Sequence, residues 1–271
     1  MGQYWPLMGL IRHGTVRDRL IVPLDHLDRG TALRVVEQLA RTVGMFKIGR
    51  SLFSGGGPEL VREVRKHGGE VFLDLRFRDS PQGALRAVVE ATRLGVKMFD
   101  LQACRGTRFI ERVKVEVSRI CRIEALRRPH IIGVAMLAGL NAHRSNLGSA
   151  IAGDSVAQLA LAAAGAGLDG VFTPAGETAQ VRAACGRRFI VVTCGVRPVD
   201  ELHPGGFAQS AAEVIRAGAD YVVLGAPVSQ AAEPVQAIAE LTHAIEERLK
   251  AGPRAAPQTL PARDPRPRPS A

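Results

Sequence analysis

Along the chain, short β-branched runs alternate with stretches that are apolar at helical spacing. Residues 20–24, 45–48 and 70–75 predict the first three strands, and 31–40, 58–66 and 84–94 the helices that follow them. Later strands are predicted at 97–101, 131–137, 170–173, 189–193 and 221–224. Their helices are predicted at 109–125, 155–164, 178–184, 210–217 and 234–249. Arg93-Leu94-Gly95-Val96-Lys97 and Arg216-Ala217-Gly218-Ala219-Asp220 place glycine just past a helix and before a strand, which suits a helix C-terminus turning into a strand. Eight strand–helix units predict an α/β chain closed as a single (β/α)8 TIM barrel. An open doubly wound sheet is the rival. It needs a glycine-rich phosphate loop after its first strand, and Leu24-Asp25-His26-Leu27-Asp28 is not one.

Composition supports this picture. The 271 residues are 46% hydrophobic but only 4% aromatic, which suits helices packed on parallel strands. The boundaries read as an extension over 1–18, the barrel over 19–250 and a disordered proline- and arginine-rich tail over 251–271. A net charge of +10 favours anionic partners. No aromatic stripe accompanies the arginines, so a nucleic-acid partner is not expected. Residues 1–12 lack a signal-peptide layout, and no run is long enough to span a membrane, so a cytoplasmic protein with no membrane partner is expected. Cys104, Cys121, Cys185 and Cys194 have no metal spacing and read as small buried residues in a reducing compartment. The seven histidines show none either, so no metal is expected. Gly55-Gly56-Gly57 before Pro58 reads as a flexible loop and helix start rather than a phosphate cradle.

In a parallel barrel, chemistry gathers at the C-terminal ends of the strands. Predicted there are Asp25 after strand one, Lys47 on strand two, Asp74 and Arg76 at the end of strand three, Asp79 just beyond, Gln102 ending strand four and Arg197 after strand seven. Charges inside strand-like runs need partners, and these can partner one another. Two readings stay open at this point: an active site, or a salt-bridge layer that closes the barrel.

Several segments together resemble one family. They are Phe46-Lys47-Ile48-Gly49, Gly57-Pro58-Glu59-Leu60-Val61, Val71-Phe72-Leu73-Asp74-Leu75-Arg76-Phe77-Arg78-Asp79-Ser80-Pro81, Val192-Thr193-Cys194-Gly195-Val196-Arg197-Pro198, and the run from Ala217 to Val228. With Asp25, they are similar in order to orotidine 5'-phosphate decarboxylase. The resemblance implies a cofactor-free barrel lyase of pyrimidine synthesis, a homodimer acting on a small anionic nucleotide. It implies that Lys47, Asp74, Arg76 and Asp79 are catalytic, with Asp79 reaching across the dimer. It implies substrate contacts from Asp25, Gln102, Gly195, Arg197, Gly225 and Ala226. In that family an aspartate disfavours the substrate carboxylate, while a lysine stabilises the carbanion left by carbon dioxide and then protonates it.

The same resemblance exposes departures. The family's D-x-K-x-x-D is Asp74-x-Arg76-x-x-Asp79 here, and arginine is a poor proton donor. Along an alternating strand, the two steps from Arg76 to Arg78 land at a different depth, so by register Arg78 does not replace the lysine. Ala226 stands at the phosphate-binding arginine, Gly83 at a threonine, Gln102 at a histidine and Ala138-Gly139 at a Thr-Ser pair, and the loop after strand seven lacks a glutamine. These changes imply weak or altered activity. The alternatives are a different, unphosphorylated anionic substrate or a non-catalytic role. A magnesium-dependent sister branch, the hexulose-phosphate synthases, carries glutamate where Lys47 stands. A lysine there repels a dication.

Overall fold

The computed structural model describes residues 14–77, 80–102, 106–135, 155–196, 211–225, 228 and 231–251. Eight parallel strands form a closed barrel in sequence order, with β8 pairing back onto β1 through Leu20↔Val222 and Ile21↔Val223. The first half comprises β1 (Leu20–Pro23), α1 (Arg29–Leu39), β2 (Met45–Gly49), α2 (Arg50–Lys66), β3 (Val71–Asp74), α3 (Pro81–Arg93), β4 (Met98–Gln102) and α4 (Thr107–Ile123). The second half comprises β5 (His130–Val134), α5 (Val156–Gly165), β6 (Gly170–Pro174), α6 (Thr178–Cys185), β7 (Ile190–Val196), α7 (Ala211–Arg216), β8 (Tyr221–Leu224) and α8 (Pro234–Ala251). The alternation expected from the sequence is therefore observed. Two short 3-10 turns, Val16–Arg19 and Ala175–Glu177, are additions to it.

Local chemistry explains the boundaries. The side chains of Asp28, Ser80 and Ser155 accept hydrogen bonds from the backbone N–H of Thr31, Gly83 and Gln158, capping α1, α3 and α5. Pro81 follows its cap at the first helical position, where its missing N–H costs nothing. The loop expected at 55–57 is corrected in part. Residues before it are already helical from Arg50, and the interruption narrows to Gly57, at φ 59° and ψ −163°. That backbone region is open essentially to glycine alone, and Pro58 restarts the helix behind it.

The core has two compartments. One lies between the sheet and the helices, where Leu20, Phe46, Leu73, Phe99 and Val191 meet helical residues such as Val36, Leu60 and Val113. The other fills the barrel with Ile21, Met45, Phe72, Met98, Ile132, Phe172, Val192, Tyr221 and Val223. Phe72 and Phe172 meet edge to face there, with centroids 5.7 Å apart. At the N-terminal end, Arg182 pairs with Asp220 at 2.6 Å and also bonds the Gly218 and Phe189 carbonyls. Arg19 donates to the Asp220 and Ala219 carbonyls, so this network ties β1, β7, β8 and α6 together. Cys121, Cys185 and Cys194 are free thiols, half-buried rather than fully buried as expected. Cys104 lies outside the described residues. No described helix is long and apolar enough to cross a membrane.

Candidate active site

Side chains on a strand alternate with period two, so the interior ring dictates what stands above it. Two residues beyond Ile21, Met45, Phe72 and Met98 come Pro23, Lys47, Asp74 and Asp100. Beyond Ile132, Phe172, Val192 and Val223 come Val134, Pro174, Cys194 and Gly225. Among the described strand residues, the C-terminal mouth thus carries ionisable side chains along β2 to β4 and apolar or small ones along β5 to β8.

The charged side is a continuous chain of ion pairs. Lys47 Nζ bonds Asp25 Oδ2 and lies 3.2 Å from Asp74 Oδ2. Arg76 Nε lies 3.5 Å from Asp74 Oδ1. Asp25 stands one turn beyond β1, and its carboxylate rests against the bare Cα of Gly49 at the end of β2. A Cβ at Gly49 would collide with Asp25 Oδ1. Burial works against the Lys47 ammonium, but Asp74 and then Asp25 outweigh it, and its pKa is raised. Burial likewise opposes the Asp74 carboxylate. The adjacent Asp100 carboxyl, as a hydrogen-bonding neighbour, then Lys47 and Arg76, outweigh that and lower its pKa below 3.8.

Arg76, expected at the end of strand three, lies just past that end. β3 stops at Asp74, and Arg76 sits in the turn beyond with φ 50°, a left-handed conformation uncommon outside glycine. Three contacts hold that turn. Arg50 donates to the Leu75 carbonyl at 3.1 Å, the Arg76 N–H donates to Asp100 Oδ1 at 2.7 Å, and Phe77 packs edge-on against Phe99. The guanidinium is consequently the most exposed of the paired cations at the mouth, at 34%.

Of the remaining sequence-predicted residues, Gln102 ends β4, while Gly195 lies within β7 at φ 75° and Gly225 follows β8. These line the same mouth by position. Asp79, Arg197 and Ala226 lie outside the described residues, as do Arg78, Ala138 and Gly139. Sequence reasoning missed Asp100. The signal was available, because Met98, Asp100 and Gln102 share one parity, and a carboxyl between two inward-facing positions must itself face inward. Among the described residues, no group of three His, Cys, Asp or Glu side chains is placed to hold a metal.

A paired lysine, aspartate and arginine at the mouth of a parallel barrel can bind and polarise an anion. Comparison with known proteins decides the lineage. The model of the orotidine 5'-phosphate decarboxylase / HUMPS family matches residues 18–241. The chain belongs to that family. A relative from Syntrophotalea carbinolica named orotidine 5'-phosphate decarboxylase is 37% identical over 238 residues, spanning 85% of this chain and 98% of the relative. A decarboxylase of the same name from Trichlorobacter lovleyi is 39% identical over 210 residues, spanning 74% of this chain and 84% of its own. Solved structures agree on the fold. An uncharacterized conserved protein from Geobacillus kaustophilus superposes with TM-score 0.67 at 28% identity, covering 83% of this chain and 98% of that one. The orotidine 5'-phosphate decarboxylase from Lactobacillus acidophilus superposes with TM-score 0.68 at 22% identity, covering 85% and 98%. The family match runs from before β1 into α8, so it contains every element that positions the charged chain.

Proposed function

We propose that this chain is an orotidine 5'-phosphate decarboxylase with impaired proton delivery, working as a cytoplasmic homodimer. The observation that carries the reading is the Asp25–Lys47–Asp74–Arg76 ion-pair chain at the mouth of a barrel of this family. In this assignment Asp25 meets the ribose, and Asp74 crowds the substrate carboxylate. Lys47 and Arg76 supply positive charge where the carbanion forms, and Asp79 completes the array from the second subunit. Gln102, Gly195, Arg197, Gly225 and Ala226 line the nucleotide. Binding energy from ribose and phosphate then offsets the repulsion at the reacting end.

The weak step is protonation. A guanidinium gives up a proton with great difficulty. Lys47 is held as a cation by two carboxylates, which makes it a reluctant donor too. Ala226 provides no charge at the position where the family carries a phosphate-binding arginine, and one charge-assisted hydrogen bond contributes about 1.5–3 kcal/mol.

The test is loss of orotidine 5'-phosphate absorbance with purified protein. Turnover is expected at least a thousandfold below the roughly 1–1,000 per second of ordinary enzymes. Arg76→Lys is expected to raise kcat by ten- to a thousandfold. Adding Ala226→Arg should lower KM with little further change in kcat. Ordinary turnover by the unaltered chain would refute impaired delivery. Absence of both turnover and nucleotide binding in all three proteins would refute the decarboxylase reading.

A further inference from the structure

Asp100 is a fully buried carboxyl in the middle of β4. Its Oδ1 accepts the Arg76 N–H. Its Oδ2 is buried with no hydrogen-bond partner among the described residues, and Asp74 Oδ1, ion-paired with Arg76 Nε at 3.5 Å, likewise accepts no hydrogen bond there. Orphaned buried oxygens are rare and costly. Here the two belong to carboxyls on adjacent strands that are within hydrogen-bonding reach of each other. Two ionised carboxylates cannot bond, but one proton between them satisfies both orphans at once.

The surroundings say which carboxyl keeps the proton. Asp74 faces Lys47 from β2 and Arg76 from the turn after β3, and its other oxygen is already bonded to Lys47. From β5 the register neighbour of Asp100 is Ile132, which is apolar. Cys194 on β7 is the titratable neighbour on that side, and burial pushes its thiol pKa up, so it stays neutral. Asp25 is engaged by Lys47. Burial, followed by the charge of Asp74, pushes the Asp100 pKa well above the ordinary 3.8, and the Arg76 N–H and guanidinium only partly oppose this. Asp74, with two cations, is left as the anion.

We propose that Asp100 is a positioning residue that persists as a neutral acid, donating its proton to Asp74 while accepting the N–H of Arg76. One buried side chain thereby fixes the carboxylate of Asp74 and the left-handed turn that presents the Arg76 guanidinium. Its functional half rests on the reading of Asp74 and Arg76 as the reacting site. The protonation itself does not.

Linkage gives the sign. The native chain keeps a proton that the unfolded chain releases above 3.8. The contribution of Asp100 to stability is therefore full below that pH and is lost as pH rises towards the native pKa. An asparagine in its place can donate to Asp74 and accept from Arg76 at every pH, so Asp100→Asn should fold and lack that dependence. The deciding measurement is carboxyl carbon NMR on protein labelled with 13C-aspartate, recorded through neutral pH. One carboxylic-acid signal is expected in the unaltered chain and is expected to vanish in Asp100→Asn. As a second readout, kcat on orotidine 5'-phosphate should drop at least tenfold in Asp100→Leu, with a smaller change in KM, and be rescued in Asp100→Asn. Aspartates that are all ionised at neutral pH, or an acid signal that survives in Asp100→Asn, would overturn the proposal. Lack of turnover throughout would count against the decarboxylase reading alone, since the NMR signal needs no substrate.

Discussion

Lys47 carries two carboxylates, and one of them is held in reach by the absence of a side chain. The Asp25 oxygen occupies the space a Cβ at Gly49 would take. Gly49→Ala should therefore push Asp25 off Lys47 without disturbing the strands. The expected cost is about 1.5–3 kcal/mol, the size of a hydrogen bond to a charged group, read as a lowered urea midpoint. The Asp74 carboxylate has the opposite linkage sign to Asp100. Its pKa is depressed, so its contribution is present above 3.8 and lost as pH falls through the native value. Asp74→Asn should be less stable than the parent at pH 7, and the gap in urea midpoint should narrow in acid below pH 3.8. Lys47 and Asp74 were legible from sequence because a charge inside an apolar strand stands out. Asp100 has the same signature, but Gln102, two residues on, is the polar residue that ends the strand. The orientation of Arg76 was not legible. It depends on a turn fixed by Arg50, Asp100 and Phe99, all distant in sequence.

At the scale of elements, the strands and most helices could be read directly because period two and period 3.6 differ over whole runs. Single 3-10 turns such as Val16–Arg19 are too short for a helical period to register. The start of α2 was missed for another reason. Three glycines in a row argue against a helix, but Leu52 is buried against the core and the helical turn that carries it is held by packing. The glycine signal marked a real feature, narrowed to the kink at Gly57. Gly57→Ala forces a side chain into a backbone region that costs about 1–3 kcal/mol. Thermal unfolding should show that loss. Nothing fills the space around Gly57, so substrate KM should stay unchanged.

At the scale of the molecule, closure is secured at the end away from the charged mouth. Asp220 joins Arg182 and the Val191 N–H, while Arg19 bonds the carbonyls of Asp220 and Ala219 across the β8–β1 seam. Asp220→Ala takes the carboxylate from the half-buried Arg182, which keeps its carbonyl bonds, and leaves the buried Val191 N–H without its acceptor, a change that costs about 1–3 kcal/mol. Chemical denaturation should report that loss. Nucleotide binding measured below the unfolding midpoint should persist, because the two ends are separated by the apolar ring inside the barrel.

That ring continues upward into a mouth whose two halves differ in kind. Lys47, Asp74 and Asp100 stand on neighbouring strands, and Val134, Pro174, Cys194 and Gly225 stand opposite. Among the described residues, a flat ligand with one anionic edge is favoured with that edge towards Lys47, because turning it over sets its charge against valine and proline. Discrimination then depends on where a ligand carries its charge rather than on how much it carries. Two positional isomers of equal mass and charge would be told apart at the door, before any bond is broken.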